Sequence, residues 1–210
     1  MISVILVLLL ALVSGILSNS FTIIAISGLI VAILVRFNNV LKKAYIFYGL
    51  FFVIGILTFI YYQSPYLRLF TRGFVGYGFF LVVMFAGVFP NKLGVTRVLK
   101  KYRGELSILG FISISAHAML HVLSIYSTID LFGLAAYVIM IPLTFISFKV
   151  IRKEIPVKEW FTIQKGAYFI YVLLFVHLLV VSAWENKIVY AVLLTLYLNN
   201  KLIKEFKRRR

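Results

Sequence analysis

Apolar residues run along this chain in eight stretches separated by short polar breaks. The stretches cover about 2–18, 20–35, 44–61, 74–89, 106–126, 131–148, 161–183 and 187–203. Ser18-Asn19-Ser20, Gln63-Ser64-Pro65, Phe89-Pro90-Asn91, Asp130 and Glu185-Asn186 mark the tightest breaks. Each stretch holds roughly 16–23 residues, enough to cross a hydrocarbon core at about 1.5 Å per residue. The shortest do so only with little tilt or local thinning. The pattern predicts an all-α fold, a polytopic transmembrane helical bundle of about eight helices. The first stretch lacks the basic leader of a signal peptide, so an uncleaved helix is expected there.

Composition leaves no other solvent for the chain. Of its 210 residues, 63% are hydrophobic and 13% charged, with only six acids. A soluble domain of this size carries about 25% charged residues. The net charge of +16 could suit a nucleic-acid binder, but the basic residues sit in short clusters between apolar stretches. That is the pattern of loops at a membrane surface, where Lys and Arg fix topology and meet anionic lipid. Nucleic acid is therefore excluded as a partner, and membrane lipid is expected as one. Cysteine is absent, which removes disulfides, thiolate catalysis, iron–sulfur clusters and Cys-bound zinc.

The charges also give an orientation. Arg36, Lys42 and Lys43 lie between stretches two and three. Lys92, Arg97, Lys100, Lys101 and Arg103 lie between four and five. Lys149, Arg152, Lys153, Lys158 and Lys165 lie between or just inside six and seven, and the tail carries six more. The opposite loops hold only Arg68, Arg72 and Lys187. The alternation predicts a multi-pass protein of the cytoplasmic (inner) membrane with both termini in the cytoplasm. No loop is long enough for an enzymatic domain, and no glycine-rich dinucleotide fingerprint occurs.

All three histidines lie inside apolar stretches. His117 and His121 share one face of the fifth, and His177 lies in the seventh. A bilayer histidine is costly and points to function by default; the simpler alternative is an interhelical hydrogen bond worth about 1 kcal/mol. His117 and His177 each stand eleven residues from the start of their helices at Leu106 and Gly166, a rise of about 16 Å. Both helices start at the cytoplasmic side, so the two imidazoles are expected at one level in the outer half of the bilayer. That arrangement suits bis-imidazole ligation of a planar haem. Zinc or copper on three histidines is a weaker alternative. No Asp or Glu falls inside an apolar stretch, so no carboxylate is expected to support the ligands. The same lack counts against ion-coupled transport. Gly110, Ser113 and Ser115 either admit a macrocycle to the backbone or pack helices. Pro142 reads as a kink. Arg68 and Arg72 break the charge pattern on the outer side and either pair with haem propionates or snorkel.

Thr71-Arg72-Gly73, Arg103 and Leu106 leading to His117, and the run from Trp160 to His177 with Tyr168 resemble the ferric-reductase-like transmembrane family. The likeness is greatest to the haem-binding membrane subunits (MsrQ/YedZ type) of periplasmic methionine sulfoxide reductase systems. It covers roughly residues 65–205. The resemblance implies a six-helix haem-binding core over 44–210, preceded by an N-terminal transmembrane hairpin over 1–43. It puts His117 and His177 on the axial ligand positions of a b-type haem. Thirteen residues before His177 the family has a further histidine; here Gln164 stands there, which leaves an inner haem without that ligand. His121 has no counterpart, and either replaces His117 or hydrogen-bonds near the haem edge.

Larger family members carry a fused flavin and nicotinamide domain, and this chain does not. The expectation is a haem b electron-transfer subunit of an oxidoreductase rather than a complete enzyme. It would take electrons from quinol or a flavoprotein, with FMN or quinone as a further cofactor, and pass them to an extracytoplasmic acceptor or reductase subunit. The alternative is a non-redox polytopic membrane protein, a small transporter or assembly partner, with structural histidines.

Overall fold

The computed structural model describes residues 18–90, 92–123 and 130–209. Every long element among them is a helix, and no strand occurs. Seven long helices follow one another: α1 (Asn19–Arg36), α2 (Ala44–Ile60), α3 (Phe74–Val88), α4 (Arg103–Val122), α5 (Leu131–Phe145), α6 (Gly166–Val181) and α7 (Trp184–Arg209). Their limits fall within about four residues of the apolar stretches from the second to the sixth; α6 starts at Gly166 rather than 161, after the short helix Val157–Gln164, and α7 runs on to Arg209 rather than 203. The predicted stretch 2–18 lies outside the described residues. Short helices at Arg68–Thr71, Gly94–Lys101, Lys149–Glu154 and Val157–Gln164 fill the connections.

Five of the described helical segments are long and apolar enough to cross a membrane: Asn19–Arg36, Val40–Ile60, Pro65–Val88, Arg103–Val122 and Val157–Val181. Leu131–Phe145 is apolar but shorter. Helix α7 carries Asn199, Asn200, Lys201 and Lys204 through its second half and is not among the five.

Helix α3 is the centre of the bundle. It packs most closely on α4 and α1 and also meets α7, while α6 lies between α5 and α7. The residues of α3 explain this position. A Cβ on Gly76 would stand 2.6 Å from Ile114 of α4, and one on Gly78 would stand 2.6 Å from Ile26 of α1. The two positions face opposite ways on the helix, so each neighbour approaches the backbone closely. Such approach drives helix association in lipid, where burial of apolar surface gives little. Gly110 of α4 belongs to the same seam, beside Phe79 and Phe80. Helix α2 lies outermost on α4 and buries only Ala44 and Thr58. Its exposed Phe52, Val53 and Ile56 form a face suited to lipid.

Polar groups within the bundle are bonded, as lipid requires. Ser27 Oγ of α1 donates to the Ile23 carbonyl at 2.8 Å and reaches the Gly78 carbonyl at 3.1 Å. The Ser20 N–H, one of the orphan donors of the α1 start, donates to Asn186 Oδ1 of α7 at 2.9 Å.

The two ends of the bundle differ. At the end with most basic residues, Lys149 Nζ pairs with Glu105 at 2.7 Å, and Tyr102 donates to the Asn38 carbonyl at 2.6 Å. Arg152 stacks 4.2 Å from the Trp160 ring. Lys204 donates to the Gly87 carbonyl; burial, then neighbouring Lys100, lowers its ammonium pKa below the usual lysine value. The opposite end is formed by the start of α3, the end of α4, the start of α5 and the end of α6. The histidines lie there.

Candidate functional site

A cavity of about 580 Å³ opens among α3, α4, α5 and α6, and His117, His121 and His177 all line it. Ile114, Leu134, Met140 and Leu174 supply apolar wall. The size lies within the range that holds small ligands and cofactors.

Each of the two histidines singled out as a pair is tied by one ring nitrogen. His117 Nδ1 lies 2.9 Å from the Thr71 carbonyl oxygen. A carbonyl only accepts, so the Nδ1–H donates and Nε2 keeps its lone pair. His177 Nδ1 lies 2.7 Å from Asp130 Oδ2. The Nδ1–H donates to the carboxylate, and Nε2 is again the lone-pair nitrogen. This is the arrangement of metal-ligating histidines, whose second nitrogen is bonded to a carbonyl or carboxylate that fixes the tautomer.

Local sequence explains both anchors. Thr71 closes the short helix Arg68–Thr71, and Gly73 follows at φ +72° before α3 begins. A Cβ at Gly73 would be 3.1 Å from the His117 ring and 3.1 Å from Tyr77. The left-handed turn that glycine permits thus brings the Thr71 carbonyl onto the imidazole. Asp130 is the N-cap of α5, where Oδ2 also accepts the Gly133 N–H at 2.7 Å. A Cβ at Gly133 would stand 2.7 Å from His177 Nδ1. Each histidine is therefore backed by a glycine on a different helix start.

Tyr77 completes the group. Its ring is stacked near His177 at 6.0 Å between centroids and lies edge-on to His117 at 6.4 Å. His121 lies edge-on to His117 at 4.7 Å. Arg72 lines the cavity while exposed to the outside, which places a cation at its rim. Arg68 is exposed and is not among the lining residues.

Several expectations are corrected. A carboxylate does support a histidine: Asp130, read as a break between stretches, reaches His177 across 47 positions because it caps the neighbouring helix. Glu105 is also buried, paired with Lys149. Gly110, Ser113 and Ser115 do not line the cavity. Gly110 packs against Phe79 and Phe80, and the two serines bond carbonyls one turn back, at 2.6 and 2.8 Å. Their role is helix packing. Tyr168 stands at the opposite end, under Lys201 at 4.0 Å. Gln164 bonds Ser147 at 3.2 Å and is likewise remote from the cavity. Among the described residues no group of three or more His, Asp or Glu side chains is arranged to hold a metal ion.

Sequence reasoning missed Asp130, Gly133 and Tyr77. The available signal was an acid bounding an apolar stretch at the same end of the bundle as His117 and His177. No protein-family model, curated protein or solved structure matches the chain.

Proposed function

We propose that this chain is a b-type haem membrane electron-transfer subunit, with His117 and His177 as the axial ligands. The observation that carries the reading is the pair of tied imidazoles on one cavity, each left with Nε2 as its lone-pair nitrogen. Haem b, when bound, supplies one-electron chemistry. The chain's own residues do the rest. Thr71 and Asp130 fix the ring tautomers, and Tyr77 and Leu174 supply wall. Arg72 offers a guanidinium for a propionate, a pairing suited to its planar fork. Arg68 lies farther from the cavity and fits that role less well. His121, beside His117, is the alternative ligand or an edge hydrogen-bonding group.

The finer reading follows the charge pattern. The proposed bundle has about eight spanning helices, lies in the cytoplasmic membrane and keeps both termini in the cytoplasm. Electrons would come from quinol or a flavoprotein, with FMN or quinone as a second cofactor, and leave to an extracytoplasmic acceptor or reductase subunit. A ligand site in the outer half, with Gln164 at the inner position, favours a donor that works within the membrane.

The test is an optical spectrum of the purified protein from haem-replete cells. The reading expects a Soret band and a sharp alpha band on reduction, at one haem per chain. A colourless preparation overturns it. One observation favours a non-redox membrane protein instead. Both anchored histidines already join two helices by hydrogen bonds, as structural histidines would. That alternative expects every His→Ala variant to keep function and to lose only stability.

A further inference from the structure

Two histidines share this cavity, but their anchors are unlike. His117 gives its Nδ1–H to a neutral acceptor, the Thr71 carbonyl, at 2.9 Å. His177 gives its own to the Asp130 carboxylate at 2.7 Å. The His177 and Asp130 side chains are only 11% and 16% exposed, so water screens the pair weakly. Asp130 is held independently of the imidazole. It caps α5 through the Gly133 N–H at 2.7 Å and sits where the helix dipole is positive. Gly133 carries no Cβ that would push the ring away from the carboxylate.

A carboxylate pulling on Nδ1–H raises electron density at Nε2 more than a carbonyl does. Its charge, in weakly screened surroundings, also favours the higher charge on a nearby metal. We infer that Asp130 is a positioning residue that makes His177 the more basic of the two axial ligands and lowers the reduction potential of the haem between them. The inference rests on the haem reading above. A haem held by His117 and His177 would meet one histidine anchored to a neutral carbonyl and one anchored to a carboxylate and leaning toward imidazolate. A lower potential makes the reduced site a stronger one-electron donor to its acceptor.

The experiment is a redox titration of the full-length protein in detergent, with low-temperature EPR of the ferric form. Asp130→Asn is the informative variant. Asparagine caps a helix as well as aspartate does, and its amide oxygen still accepts the Nδ1–H, so only the charge is removed. The expected result is a retained bis-histidine spectrum, a midpoint potential above that of the wild type and shifted low-spin EPR signals. Asp130→Glu should move the potential back toward the wild type. Asp130→Ala should lower haem affinity by about 10–100-fold, the usual cost of losing such a partner.

A haem-loaded wild type beside an Asp130→Asn variant with unmoved potential and EPR overturns the inference alone, leaving Asp130 as a helix cap. If Asp130→Asn loses its haem while Asp130→Glu keeps it, the potential of the Glu variant decides: near the wild-type value it supports the inference, and clearly above it overturns it. If both lose haem, the contact is steric and the inference fails. A wild type without a haem spectrum overturns the haem reading and this inference with it.

Discussion

The carbonyl of Thr71 accepts the Nδ1–H of His117 at 2.9 Å, a bond that spans 46 positions of the chain. It joins the connection before α3 to the last turns of α4. The acceptor is backbone, so no side-chain substitution removes it directly. What can be changed is the geometry that delivers it.

Gly73 is that geometry. Its φ of +72° costs an L-residue about 1–2 kcal/mol, and a Cβ would also press on the His117 ring at 3.1 Å. Gly73→Ala should lower the unfolding midpoint in detergent and, on the haem proposal, reduce bound haem. A variant with wild-type stability and wild-type haem would show that the turn is not needed to hold the imidazole.

The proposed ligand assignment separates the three histidines. His177→Ala should abolish haem binding and leave Asp130 without its imidazole partner, so stability should fall as well, by about 1–3 kcal/mol. His117→Ala should also lose haem, whereas His121→Ala should keep it. Pyridine haemochrome content against protein measures each. Haem retained in His117→Ala and lost in His121→Ala would exchange their roles.

Arg72 and Arg68 should behave differently. Arg72 borders the cavity and Arg68 does not. Arg72→Gln should weaken haem retention during detergent washing while leaving the spectrum of the remaining haem unchanged. Arg68→Gln should match the wild type. Equal losses in both variants would point to a general surface effect rather than propionate pairing.

The seam between α3 and α4 should be intolerant of added volume. Gly76→Ala forces a Cβ to 2.6 Å from Ile114 and should cost about 1–3 kcal/mol through overpacking. Thermal unfolding in micelles reads the loss. Gly49→Ala, where nothing lies within 4 Å, is the control and should not reduce stability.

The helix limits were legible because polar breaks such as Gln63-Ser64-Pro65 interrupt long apolar stretches. Which face of each helix turns inward was not. In lipid both faces are apolar, so Val82 and Val83 at the centre and Phe52 and Val53 at the outside look alike in sequence. His117 and His177 stood out because a bilayer histidine is costly. Asp130 did not, because an acid at a helix start has an ordinary reason to be there. Gly73 and Gly133 gain their meaning only from the imidazoles that approach them. Those approaches are set by packing, not by the neighbouring residues.

The hydrogen bond from Ser20 to Asn186 crosses 166 positions, far more than the bonds that tie His117 and His177. It has a consequence for biogenesis. The first described helix can pack on α3 through Ser27 and Gly78 early, but its starting N–H at Ser20 has no Asn186 to bond until the last helix has been made. Tyr190 of the same last helix lines the cavity, so the final wall of the cavity and the Ser20–Asn186 bond both wait for the last segment of the chain.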